Sequence, residues 1–498
     1  AEAVADMHPS ITVLDNRQRG PVPARNMGVS FATGDSICFL DDDDCFTDNG
    51  YFSRIADAFG RGADFCFADG ILRFEDGRPD LPFAFEADID TLARDGIKFT
   101  AAYAACPVCS PTRGALMTGQ YPARTRITDF IAGNPYPFQR LKQPEWQKFL
   151  PLSAATLAEE LAARGYATAH FGKWHLARGY FPPQSLAEGP NQQGFQEVLI
   201  NHKPKSTDDP EQDAHGVEAI TVRALDFLER HRDRPFFLYL PHNTIHSPIM
   251  APRALVAKHR ARPGSDRPEN NPIIAAMMEQ FDDSIGRILA KIDALGLREN
   301  TIVIFNGDNG GLFGDAAQTP HRGGKAQLHE GGIRVPLLIR WPGVITAGRV
   351  SGAPTSTVDF FPTLLELTGK SVAASAVVDG VSLAPHLRGG PAPARPAIFW
   401  HYPHYHSAGD GGPAGAVRAG DWKLVEYFEH TVAKTGRAPE LYNLRTDPGE
   451  TKNLAASDPA RVANLLAMLA AHRAATNAQM PTLNAAYDPN NLKGKNRE

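Results

Sequence analysis

Cys109 and Arg113 stand four residues apart in CSPTRGALMTG, with Pro111 between them. Pro111 suits a first helical turn, so PTRGALMTG reads as a helix with Cys109 at its positive end. Backbone N–H groups there favour an anion, and a residue four positions on, Arg113, falls on the same helix face. A reactive sulfur beside an oxyanion-binding helix end suits chemistry on sulfate or phosphate esters. Cys106 has no such sequel: Val108 and Ser110 occupy the positions where Cys109 has Pro111 and Arg113. A redox Cys-x-x-C needs a thioredoxin-like βαβ unit around it, and none surrounds this pair. The remaining cysteines, Cys38, Cys45 and Cys66, make an odd total of five. That composition excludes a disulfide framework and offers no second pair for structural zinc.

Other chemistry-bearing residues gather after apolar runs. Lys173 and His175 follow YATAHFG, His242 and His246 follow PFFLYLP, and Asp308 with Asn309 follows TIVIFNG. Each run is preceded by a helical pattern: SAATLAEELAARG with a capping box (Thr156 and Glu159), GVEAITVRALDFLERH, and NPIIAAMMEQFDDSIGRILAKIDALG. Helix-then-strand units predict an α/β fold, a mostly parallel sheet sandwiched by helices. In such sheets ligands sit beyond the carboxyl ends of the strands, so separate strands feed one rim. Asp282 and Asp283 lie inside the third helix and read as solvated or capping residues. After about residue 390 the pattern becomes short strands (AIFWHYPHYH, AVRAGDWKLVEYF, ELYNL) and a closing amphipathic helix, PARVANLLAMLAAHRAAT. A small C-terminal α+β domain follows from it. The domain reading is therefore 1–84, 85–390 and 391–498.

Composition bounds the function. A chain of 498 residues with formal net charge −5 and pI near 6.4 carries no electrostatic footprint for nucleic acid. No apolar run is long enough to span a bilayer, and the first twenty residues lack a basic and then apolar stretch. The chain as it stands reads as cytoplasmic, or as periplasmic or secreted if an export signal has been removed.

CSPTRGALMTGQYPAR resembles the signature of the type I sulfatases, of the alkaline phosphatase superfamily. The resemblance runs over about residues 85–488 and includes GYATAHFGKWHLA, PFFLYLPHNTIHSP, NGDNGG, RGGKAQLHEGGIRVPLLIRWPG and ELYNLRTDPGETKNLA in family order. It implies an alkaline phosphatase-like fold and a sulfuric ester hydrolase of the arylsulfatase kind, acting on a sulfated sugar or aryl substrate. It implies that a maturation enzyme reads Cys-x-Pro-x-Arg and converts Cys109 to formylglycine, whose hydrate attacks sulfur and forms a covalent sulfated enzyme. His175 would be the base that lets sulfate leave. Arg113 and Lys173 would hold the nucleophile and polarise sulfate oxygens, while His246 and Lys325 would bind the ester and serve the leaving oxygen. A divalent cation, calcium or else magnesium, would be bound by Asp308 and Asn309. His401, His404 and His406 in HYPHYH are candidate substrate-binding groups, with interdomain packing the competing reading. His321, Arg322 and His329 flank Lys325 and stay unassigned. The competing functions are a phosphate or phosphonate monoester hydrolase of the same superfamily and an inactive sulfatase-like protein.

The N-terminus departs from that pattern. VPARNMGVSFATGDSICFLDDDDCF resembles the middle of a family-2 glycosyltransferase, with Arg25, Asn26 and Gly28, then Thr33-Gly34-Asp35, then an acidic cluster. Half of that family's nucleotide-binding fold and its catalytic base have no counterpart here, so a nucleotide-sugar transferase is the weaker reading. The sulfatase pattern calls for two adjacent aspartates at the end of a first strand. The apolar SICFL followed by Asp41–Asp44 has that local form and nominates Asp42 and Asp43. Asp69, in DFCFADG, has the better spacing to Cys109 but brings a single carboxylate.

Overall fold

The computed structural model describes residues 70–72, 81–83 and 88–492, except 180–183, 263, 266–269, 313–317, 319, 370–376 and 410–411. Two compact units divide the chain, 1–87 and 88–498. In the first, Gly70–Leu72 pairs antiparallel with Leu81–Phe83. Asp42, Asp43 and Asp69 lie outside the described residues.

In the second unit, three strands form a parallel sheet in the order Glu197–Ile200, Ala167–Gly172, Phe236–Tyr239. The central strand alternates. Ala167, Ala169 and Phe171 pack under Ile220 and Phe227 of helix Val217–Arg230, the small alanines admitting the helix closely. The same helix turns Ala224 and Leu228 toward Ile288 and Ile292 of helix Pro272–Ala294. Residues 220, 224, 227 and 228 thus form the apolar stripe of a 3.6-residue period. The capping box read from sequence is present: Thr156 Oγ1 accepts from Glu159 N, and Glu159 Oε2 accepts from Thr156 N.

A second sheet runs Arg349–Ser351, Ile97–Phe99, Leu337–Arg340, Val303–Asn306, with the first pair parallel and the others antiparallel. The sheet structure is therefore mixed. Among the described residues, Val303–Asn306 pairs with Leu337–Arg340, and Phe236–Tyr239 with the central parallel strand. Asp282 caps rather than reacts, accepting from the backbone N–H groups of Asp88 and Ile89 at the start of helix Asp88–Arg94.

The C-terminal sheet is antiparallel, in the order Ile398–Tyr402, Ala414–Ala419, Trp422–Tyr427, Glu440–Asn443. One face, Val417, Leu424 and Leu441, packs on Leu465 and Leu469 of helix Pro459–Thr476. The other, with Trp400, Tyr402 and Val425, packs on Tyr103, Val108 and Ile333. This sheet belongs to the same compact unit as the strands that carry the polar rim. A buried ion triad crosses the boundary: Lys423 Nζ lies 2.9 Å from Glu330 Oε1 and 2.9 Å from Glu450 Oε1, all three side chains shielded from solvent. Lys423→Ala removes the cation shared by two buried carboxylates, leaving Glu330 with only the longer ion pair to Arg334 at 3.4 Å among the described residues, and is expected to cost about 3–5 kcal/mol of stability. Chemical denaturation checks this, and an unchanged midpoint would show that the triad is dispensable. No helix among the described residues is long and apolar enough to cross a membrane.

Candidate active site

Cys109 is the first residue of helix Cys109–Thr118, preceded by Val108 in extended conformation and closed by Gly119 at φ +69°. The positive φ suits glycine, whose N–H returns to Ala115 O at 2.8 Å. Thr112 Oγ1 donates to Cys106 O and Val108 O at 3.0 and 3.2 Å, which sets the turn that carries Cys109 into the helix. The next loop is laced to that turn: Ala326 N donates to Pro107 O at 2.9 Å and Lys325 N to Gly311 O at 2.8 Å. The lacing brings Lys325 Nζ to 3.3 Å from Cys109 Sγ.

Strand ends supply the remaining groups. At Gly172 (φ +140°) a Cβ would stand 2.2 Å from Pro241 O, so only glycine lets the ends of Ala167–Gly172 and Phe236–Tyr239 close together. Lys173 N then donates to Pro241 O at 2.7 Å. Arg113 joins the ends: Nη1 donates to Lys173 O at 2.7 Å, and Nε and Nη2 donate to Asp308 Oδ2 at 3.0 and 2.7 Å. Cys109, Arg113, Lys173, His175, His246, Asp308, Asn309 and Lys325 all line one cavity of about 1900 Å³. Eight residues drawn from five separate stretches of sequence thus share one space.

The electrostatics favour an anion at Cys109. Burial pushes its thiol up, but Lys173, Lys325 and His246 outweigh burial and Asp308 and bring it down to about 7. Burial also works against the Asp308 carboxyl, yet Arg113, Lys173 and Lys325 hold it below the usual carboxylate range. Lys173 is lowered by burial and by its cationic neighbours Arg113 and Lys325. His175 is held well below its ordinary value, by burial first and Lys173 second. His246 is down to about 4, through burial, Lys325 and Lys173. Both imidazoles are neutral at pH 7. Their tautomers follow from their partners, since a carbonyl can only accept. His175 Nε2–H donates to Ile131 O, placing the lone pair on Nδ1. His246 Nδ1–H donates to Ser247 O at 2.8 Å, placing the lone pair on Nε2.

Asp308 and Asn309 suit a hard cation. Asn309 Nδ2 donates to Gly310 O at 2.8 Å, and its Oδ1 is buried without a hydrogen-bond partner among the described residues. An orphaned amide oxygen beside a carboxylate is a donor set of the calcium or magnesium kind. No group of three or more His, Cys, Asp or Glu side chains fit for a metal occurs among the described residues.

The three histidines of HYPHYH part company. His406 lines the cavity, its ring 5.2 Å from that of Phe130, and burial and Lys325 lower it to about 4. His401 and His404 do not line it, which corrects their reading as substrate-binding groups. His401 lies on the strand face opposite Trp400 and Tyr402, and its Nε2 meets Gln479 O at 2.8 Å. His404 is buried between Thr128 Oγ1 and Gln143 Oε1 at 2.8 and 3.1 Å. His321, Arg322 and His329 turn toward the C-terminal part, to Pro448 O, Tyr442 Oη and Glu440 Oε2. Phe130, Ile131 and Ala132, from the loop 129–133, also line the cavity, and no sequence motif marks them.

Known proteins resemble this chain over most of its length. The sulfatase family pattern matches residues 65–370, and the pattern of the N-sulphoglucosamine sulphohydrolase C-terminal region matches residues 324–477. The sulfatase match thus begins upstream of residue 85 and leaves Asp42 and Asp43 outside it, within residues 1–116 that match glycosyl transferase family 2. Arylsulfatase A of Homo sapiens is 30% identical over 442 residues, 78% of this chain and 82% of that protein. N-acetylgalactosamine-6-sulfatase of Canis lupus familiaris is 29% identical over 426 residues, 73% of this chain and 76% of that one. The solved structure of Ps i-CgsB in complex with k-i-k-neocarrahexaose is similar with a TM-score of 0.63 at 25% identity, covering 77% of this chain and 86% of that chain. With a sulfatase match spanning Cys109 and every strand end of the cavity, and with relatives aligned along most of both chains, this chain belongs to the sulfatase family, hydrolases of sulfate esters in the alkaline phosphatase superfamily.

Proposed function

We propose that the chain hydrolyses the sulfate monoester of a carbohydrate, with Cys109 in its formylglycine form and a divalent cation, calcium or magnesium, at Asp308 and Asn309. One observation carries the reading: Lys325 Nζ lies 3.3 Å from Sγ of a buried helix-end residue, Cys109, where Lys173 and Lys325 favour negative charge. That is the environment a sulfate ester needs. The maturation enzyme that makes formylglycine is part of the proposal, supported by Pro111 and Arg113 at their spacings from Cys109. Formylglycine at position 109 would supply, as its aldehyde hydrate, a hydroxyl nucleophile for sulfur and a second hydroxyl whose deprotonation would favour release of sulfate. The cation supplies charge to a sulfate oxygen.

The chain's own residues do the rest. Lys173 faces the sulfate as a buried cation. Arg113, with all three nitrogens engaged by Asp308 and Lys173 O, fixes the geometry of both. Lys325 Nζ, 3.3 Å from Cys109 Sγ, is a proton donor at the nucleophile and serves the leaving oxygen. Neutral His246 presents Nε2 as an acceptor, and an arriving anion raises its proton affinity so that it pairs with the sulfate. His175 Nδ1 accepts the proton given up as sulfate departs. The net reaction consumes water and the ester and yields an alcohol and hydrogen sulfate. His406 against Phe130 provides a polar edge and an aromatic wall for a sugar ring. The carbohydrate is supported by the relative named for N-acetylgalactosamine-6-sulfate and by the neocarrahexaose complex of the structural neighbour.

The matured protein assayed on sulfated monosaccharides and on p-nitrophenyl sulfate beside p-nitrophenyl phosphate tests this. Sulfate release is expected to exceed phosphate release. A preference for the phosphate ester would move the chain to the competing hydrolase class, and no turnover of any ester would mark it as inactive. EDTA is expected to abolish turnover, with calcium restoring it. Asp308→Asn is expected to remove the calcium-dependent rise in melting temperature, and its survival in that variant would refute the cation site. Asp42→Asn and Asp43→Asn put the same question to the acidic cluster.

A further inference from the structure

Beside the site lies a buried carboxylate that the mechanism above does not use. Asp129 is 1% exposed. Its Oδ1 accepts from Phe130 N at 2.9 Å and from Tyr402 Oη at 3.0 Å. Its Oδ2 is buried without a hydrogen-bond partner among the described residues. The carboxylate begins a short loop held at every step. Phe130 packs against His406, Ile131 N donates to Ser110 Oγ at 3.0 Å, and Lys148 Nζ donates to Ala132 O at 3.0 Å. Ser110 adjoins Cys109 in the helix, and Ile131 O receives the proton of His175 Nε2.

We propose that Asp129 is a positioning residue for the reaction: by clamping Phe130 N and Tyr402 Oη it fixes the Ile131 carbonyl, and through it the tautomer and aim of His175. This rests on the reading of His175 as the base for sulfate release. The path is short. Asp129 holds the amide of Phe130, Ser110 Oγ holds the amide of Ile131, the Ile131 carbonyl follows two peptide units after the first amide, and that carbonyl decides which nitrogen of His175 bears the proton. A displaced Ile131 O would let the ring turn or exchange tautomers, and Nδ1 would no longer be held as the acceptor nitrogen. Stability alone does not explain a carboxylate here. Burying a charge with one oxygen unpaired is costly, and burial raises its pKa to about 7 against the pull of Phe130 N–H, Tyr402 and Lys148. Such a cost is tolerated where a geometry must be held.

The test is a double-mutant cycle on the matured full chain, with kcat, KM and melting temperature recorded for each variant. Asp129→Ala is expected to lower kcat at least ~10-fold with KM within about threefold, because Lys173, Lys325 and His246 are untouched. Asp129→Asn keeps an acceptor oxygen for Phe130 N and is expected to recover most of the loss. In a His175→Ala background, Asp129→Ala is expected to cost less than about twofold, since the residue acts through a ring that is no longer there. Additive losses in that background, or a loss expressed in KM, would overturn the proposal. If Asp129→Ala does not fold, Tyr402→Phe runs through the same cycle, with the same non-additivity expected and additivity again overturning it. A wild-type rate that survives Cys109→Ala or His175→Ala would instead refute the underlying reading of the site, so the two failures are distinct.

Discussion

Cys109→Ala is expected to abolish sulfate release, while Cys106→Ala retains most of it. The two thiols are three residues apart and both buried, yet their surroundings differ in every respect that bears on chemistry. Cys109 lines the cavity, touches Lys325 Nζ at 3.3 Å and is drawn down to about 7. Cys106 sits in an apolar cluster with Tyr103, Trp400 and Ile333, and burial drives its thiol well above the ordinary range. Its contribution to the site is its carbonyl, which accepts from Thr112 Oγ1 and survives any substitution of the side chain. Replacing Cys106 by alanine removes one small apolar contact, a cost of roughly 1 kcal/mol. Peptide mass analysis of matured protein adds a reading independent of activity, with loss of sulfur expected at Cys109 and an intact thiol at Cys106. The reverse pattern in either measurement would overturn the assignment of the nucleophile.

Lys173→Ala, His175→Ala, His246→Ala and Lys325→Ala are each expected to lower the rate at least ~100-fold with little change in folding, as loss of an oxyanion-stabilising or proton-transfer group typically does. The two lysines allow a check that needs no substrate. In unmatured protein, both pull the Cys109 thiol toward the thiolate. Removing either therefore raises its pKa, and alkylation by iodoacetamide at pH 7 slows because less thiolate is present. His175→Ala, by contrast, removes a neutral ring, and its effect should fall on turnover. A lysine variant that melts normally, alkylates at the wild-type rate and keeps near-full activity would remove that lysine from the site.

Cys109 and Arg113 on one helix, the capping box of Thr156 and Glu159, and polar residues at the ends of apolar runs were legible because each is a local matter. A helix repeats every 3.6 residues and a strand every two, so spacing decides which side chains share a face. That reasoning also applied to HYPHYH but stopped short. The strand ends at Tyr402, and His401 points away from the Trp400 face, while the chain beyond carries His404 into packing and only His406 to the cavity. Lys325 meets a sulfur 216 residues away because Ala326 N finds Pro107 O, a pairing that no period encodes. Arg113 carries the helix motif, but its partners Lys173 O and Asp308 come from strands whose order only the packed sheets establish. The loop 129–133 left no mark in the sequence, since Ile131 and Ala132 work through backbone groups that every residue possesses, and the Asp129 carboxylate finds Tyr402 Oη across 273 residues. Residue type and period determine what a segment can offer. Which offers meet depends on long-range packing, where burial strips away water and lets a few charges and carbonyls act on one another at full strength.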